Sequence, residues 1–191
     1  MQDKQQQQKD GISRSEAFHL MYFLANVHAT CISPFIRSAF GAEHPGFVGL
    51  FSMAFILLVA CNDPTHVTHM YFCAWVCALG YRRIQSHRML CQGVLLHSRS
   101  AGYPWVAMRI PFVRKESTAT RIVEPMLCLI TGLLLIPLSE TLGAMVMGGF
   151  MSFGIRNAIE AEVMRKRLQA MQDARIEQEY YSHRFRQPLK G

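Results

Sequence analysis

Asp63, His66 and His69 recur at intervals of three, and residues three apart on a helix share a face. A carboxylate and two imidazoles so placed would offer three ligands to zinc or another divalent cation. The same residues also read as a helix start, with Asp63 as N-cap, Pro64 at the first helical position and both histidines near the entry. Glu124 is the one carboxylate inside an apolar run, which makes it, with His69, a candidate for proton or ion transfer. Arg121 stands three residues before it, within reach of an ion pair. Pro125 follows directly, as suits an acid in the first turn of a helix.

Other chemistry is absent from the sequence pattern. There is no Walker loop, Gly-x-Ser-x-Gly or His-Glu-x-x-His motif. The six cysteines follow no metal-ligand spacing, and Cys31, Cys61, Cys73, Cys77 and Cys128 lie in apolar runs where they read as small buried hydrophobes. A haem would need histidines on facing helices, so no cofactor is expected.

The elements that carry these residues are set by where the apolar residues fall. The chain has 191 residues, half of them hydrophobic and 17% charged, which excludes a disordered polypeptide. Six cysteines are too few for a disulfide-stapled secreted module. Residues 47–61, 67–81, 122–138 and 142–155 are almost wholly apolar. Each approaches the roughly 20 residues that cross a bilayer once its flanking turn is added.

Charge is sorted along the chain. The two short gaps, 62–66 and 139–141, contain Asp63 and Glu140 and no Lys or Arg. Between the apolar pairs, eight cations from Arg82 to Arg121 face the single acid Glu116, and eight more follow from Arg156 onward. Lys and Arg stay on the cytoplasmic side, so the pattern predicts two transmembrane hairpins with basic inner connections. The formal charge of +7 therefore reports orientation; no nucleic-acid recognition motif accompanies it, and no nucleic-acid partner is expected.

The expected fold is an all-α integral membrane protein with four spans and both termini cytoplasmic, in the cytoplasmic membrane if the source is bacterial. Residues 1–14 form a polar tail without the pattern of a cleavable signal peptide. Residues 15–40 form an interfacial amphipathic helix opened by Ser15, or else an extra span that would move the N-terminus across. Hairpins occupy 47–81 and 122–155, a basic connection 82–121, and a charged cytoplasmic helix and tail 156–191.

Two further sets of residues point to partners. Ala144, Gly148 and Ser152 place small side chains on one face, allowing close approach by the third span through Gly132 or by a second copy. Arg82, Arg83, Arg114 and Lys115 suit lipid headgroups. The function expected from these features is that of a non-enzymatic scaffold or accessory subunit of a membrane complex. The alternatives are a small transporter using Glu124 and His69, or a metal-dependent membrane enzyme at Asp63, His66 and His69.

Overall fold

The computed structural model describes residues 2–41, 46–93, 102–111 and 113–186. All elements among them are helical: α1 (Gln2–Ile36), α2 (Gly46–Cys61), α3 (Val67–Cys91), α4 (Trp105–Met108), α5 (Glu116–Thr118), a π-turn (Ala119–Val123), α6 (Glu124–Leu135) and α7 (Glu140–Arg186). The chain divides into two units, Met1–Arg156 and Asn157–Gly191. One helix, Glu116–Leu135, is long and apolar enough to cross a membrane, and Gly46–Cys61 is a shorter apolar helix.

The segment expected to lie along an interface instead enters the core. Ala29, Cys31 and Ile32 of α1 join Ile56, Trp75, Cys128, Leu142, Met145, Val146 and Phe153 in one buried cluster. Its polar residues are what allow this. Ser52, the only hydroxyl in the apolar run of α2, is fully buried and donates to the Val27 carbonyl at 2.8 Å as well as to Val48 at 2.9 Å in its own helix. A hydroxyl that can answer a carbonyl across a helix pair holds the two together where apolar packing alone gives no direction.

Pro34 has the largest local effect on α1. It has no N–H, so the Thr30 carbonyl one turn back loses its helical donor. The Trp75 indole of α3 supplies one, Nε1 donating to Thr30 O at 3.2 Å, and the Tyr71 hydroxyl donates to Cys31 O at 2.9 Å. Two α3 turns beyond Trp75, Arg82 Nε donates to the Pro34 carbonyl at 3.2 Å.

The break expected at 102–105 is present and has a role. Ser38 and Tyr103 exchange two backbone hydrogen bonds, of 2.9 and 2.6 Å, directly after α1 ends. Gly102 sits at φ +89°, and a Cβ there would meet the Ser38 carbonyl at 2.8 Å. Pro104 and Ala107 are buried behind the bridge, so the segment closes one end of the bundle. Three cysteines depart from expectation: Cys31 and Cys128 are buried, but Cys61, Cys73 and Cys77 are exposed. The apolar runs bearing these three turn only one stripe toward neighbouring helices.

In the second unit the α7 helix carries spaced ion pairs, Glu162 with Arg165 at 3.1 Å and Arg175 with Glu179 at 3.1 Å. Both are exposed, and such helix pairs contribute only about 0.3–0.5 kcal/mol each. Met164, Leu168 and Met171 of the same helix are also exposed.

Gly132 marks the closest approach of α6 and α7. A Cβ at this position would lie 2.5 Å from the Met147 backbone nitrogen and 2.7 Å from its Cα, and backbone cannot yield. Gly132→Ala is expected to lower stability by about 1–3 kcal/mol, as overpacking does. Gly154→Ala, where a Cβ meets nothing within 4 Å, should be neutral or slightly stabilising. Thermal melts of the two variants in one detergent check this; equal melting temperatures would contradict the packing.

Candidate functional site

Glu124 is fully buried, and both its oxygens are taken by Arg37: Nε donates to Oε1 at 2.9 Å and the terminal Nη2 donates to Oε2. Arg37 is itself buried and its guanidinium lies over the Phe153 ring, 5.4 Å from the centroid. A two-point fork of this kind is among the strongest side-chain pairings and fixes both groups in orientation. The pair joins the end of α1 to the start of α6 beneath α7.

This corrects the expected partner. Arg121 is exposed, although three residues before Glu124 in sequence. The cause is the π-turn from Ala119 to Val123, in which an extra residue enters each turn, so that a spacing of three no longer returns to one face. Pro125 supplies the reason for the π-turn: its ring crowds the carbonyl four residues back, and it has no N–H to give that carbonyl. The widened turn rotates Glu124 inward toward Arg37.

A second cluster adjoins the pair at the same end of the bundle. Arg82, beyond its bond to Pro34, donates to Gln85 at 3.0 Å and stacks on Trp105, 5.3 Å from the ring centroid. Arg109 approaches the same indole at 5.4 Å. Arg82 is thus an internal helix-end cap, while Arg83, Arg114 and Lys115 are exposed.

The other expected residues lie elsewhere. Asp63 is buried in the α2–α3 turn and accepts four hydrogen bonds, from the backbone N–H and hydroxyl of both Thr65 and Thr68, at 2.6–3.0 Å. Its carboxylate closes the turn and caps α3. The Thr68 hydroxyl above all, then Thr65 and the two backbone donors, hold the Asp63 carboxyl well below the usual carboxylate range, against a smaller opposing push from burial. His66, in the left-handed region at φ 58°, and His69 are exposed, their ring centroids 5.5 Å apart. Among the described residues no three His, Cys, Asp or Glu gather as a metal-binding group. His69 and Glu124 are not brought together: His69 precedes Arg82 by thirteen residues, about 20 Å of helix.

The small-residue face of α7 meets α1. Gly148 lies against the His28 ring, with 3.2 Å from a built Cβ to the ring carbon, and Ser152 Oγ is 2.7 Å from His28 Nδ1. Gly132 faces Met147 on a different side of α7, and Ala144 is exposed. Arg37, His28 and Trp75 were not singled out by sequence. Pro34 was the available signal, since a proline inside a helix leaves a carbonyl that some side chain must answer. No protein-family model, no curated protein and no solved structure matches this chain.

Two measurements test the geometry. Removing one member of the buried pair leaves an unpaired charge, so Arg37→Met and Glu124→Leu should each cost about 3–5 kcal/mol, while the double variant recovers most of the loss. Additive losses in a double-mutant cycle would show that the two do not pair. For Asp63, folding lowers the pKa, so its contribution is complete above the unfolded value of about 4 and falls away as pH drops below it. Asp63→Asn should melt lower at pH 7, and the gap should narrow toward pH 3. A gap independent of pH would rule out the carboxylate as the capping group.

Proposed function

We propose that the chain is a polytopic membrane protein, a non-enzymatic scaffold or accessory subunit whose helical bundle lies in the bilayer. One observation carries the membrane reading: the helices of the first unit leave large apolar side chains exposed while charged and hydroxylic side chains are buried between them. Phe47, Leu50, Leu58, Met70, Ile122, Leu134, Leu138 and Met151 are each more than half exposed, from several different helices. Arg37, Ser52, Thr68, Glu124 and Arg156 are buried between them. Large apolar side chains left exposed on several helices call for an apolar partner, and in water buried charges are rare. In hydrocarbon the same arrangement is favourable, because charged and hydroxylic groups then have to face the bundle interior.

The reading includes α1 as a crossing helix. A crossing α1 added to the four apolar runs makes five crossings, so a C-terminus at the cytoplasm places residues 1–16 on the far side. Three acids and three cations there, Asp3, Asp10 and Glu16 against Lys4, Lys9 and Arg14, leave no net charge to oppose the crossing. Both termini on one side was the expectation when α1 lay in the interface; the burial of α1 supports opposite sides. The scaffold role draws on two positive features, the exposed apolar residues of the bundle and Met164, Leu168 and Met171 left uncovered on the charged helix. Membrane lipids, a second copy or another membrane protein are the partners these surfaces suit.

Compartment-sensitive reporters fused at the N-terminus, at Arg99 and at the C-terminus test the arrangement. The expected result is an outside signal from the N-terminus and inside signals from the other two. An outside signal at Arg99 would overturn the orientation, and release of the chain by alkaline carbonate would overturn the membrane reading.

A further inference from the structure

Residues 64–115 contain no Asp or Glu, yet they carry Arg82, Arg83, Arg88, Arg109 and further cations. Arg82 is engaged within the bundle by the Pro34 carbonyl, the Gln85 amide and the Trp105 ring. Arg83, the next residue, lines a cavity of about 430 Å³ on the side of α3, together with Ile84, Ser86, His87 and Leu90.

Ser86 carries the argument. It is buried, 4% exposed, and its hydroxyl has no hydrogen-bond partner. A serine within a helix commonly returns its hydroxyl to the carbonyl one turn back. That of Ser86 does not, so the lining of the cavity holds a buried hydroxyl that a ligand could answer. Arg83, Ser86 and His87 are three and four residues apart and share one face of α3. A guanidinium, a hydroxyl and an imidazole in a segment without a carboxylate are the groups that recognise an anion.

We propose that this cavity binds a phosphate group. Arg83 pairs with two of its oxygens, and the Ser86 hydroxyl, turned about its Cα–Cβ bond, donates to a third. The flat fork of a guanidinium matches phosphate geometry, and the phosphate brings the negative charge that residues 64–115 do not contain. Ile84, more than half exposed, and Leu90 stand beside the donors and suit the alkyl chains of a phospholipid whose headgroup supplies the phosphate. A soluble phosphate would use the same donors. Only the lipid source rests on the membrane reading.

Native mass spectrometry of the purified full chain in a non-ionic detergent tests the proposal with dioleoyl phosphatidate, dioleoylglycerol and inorganic phosphate. A single phosphatidate should bind per chain, and dioleoylglycerol, which lacks the phosphate, should bind at least about tenfold more weakly. Arg83→Gln and Ser86→Ala should each weaken phosphatidate binding by about tenfold, as loss of one hydrogen bond to a charged group does. Arg121→Gln removes the same charge from an exposed position outside the cavity and should change binding less than about twofold at moderate salt. Without ligand, Ser86→Ala should melt no lower than the parent, because it removes a hydroxyl with no partner. Displacement of phosphatidate by millimolar inorganic phosphate supports the site as one for soluble phosphates; retention supports it as a headgroup site. Equal binding of phosphatidate and dioleoylglycerol, binding unchanged by Arg83→Gln or by Ser86→Ala, or an equal loss with Arg121→Gln would overturn the proposal. Because binding is read in micelles and membrane placement by the reporters, either can fail without the other.

Discussion

A carboxylate with no access to water has to be neutralised by the protein, and Glu124 is in that position. Its two oxygens and the fork of Arg37 satisfy each other, and Phe153 covers the guanidinium. The pair spans 87 residues of sequence, so it ties the end of α1 to the start of α6 and determines which turn of each faces the other. Apolar side chains would pack in several registers at similar cost, whereas a two-point ion pair is met in one. The value of such a pair is specificity more than stability, because desolvation cancels much of the attraction.

The same accounting governs the backbone. Pro34 leaves the Thr30 carbonyl without a helical donor, and the end of α1 leaves the Pro34 carbonyl in the same state. Trp75 answers the first and Arg82 the second. Thr30 and Pro34 are buried, so no solvent reaches these carbonyls and each must be met from within the protein. That requirement accounts for why an indole, a phenol and a guanidinium of α3 all point at one short stretch of α1.

Features encoded locally were legible in the sequence. The turn at 62–66, the break at 102–105 and the long charged helix after Arg156 all follow from proline, glycine and helix-forming residues acting on their neighbours. What failed depended on distant contacts. Arg121 was the nearest cation to Glu124 along the chain, and nothing local except Pro125 announced a π-turn that would turn the two apart. The small residues of α7 were recognised as a contact face, but the partner was His28 of α1 and Gly132 faced elsewhere. The polar residues of α1 suggested a wet face; His28 instead meets Ser152 of α7, while α2 and α3 hydrogen-bond the α1 carbonyls of Val27, Thr30, Cys31 and Pro34.

Buried polar groups of the first unit are met from within: Arg37 and Glu124 pair after the end of α1, and Asp63 of the α2–α3 turn is satisfied by its own threonines. The cations were read from sequence as headgroup-binding, but they are of two kinds. Arg37 and Arg82 are consumed by the bundle, one by a carboxylate and one by a carbonyl and an indole. Arg83, Arg114 and Lys115 are exposed, where the proposed bilayer would bring them to anionic headgroups. Orientation in the proposed bilayer therefore depends on fewer charges than the formal +7 implies, and the internal cations fix how the helices meet.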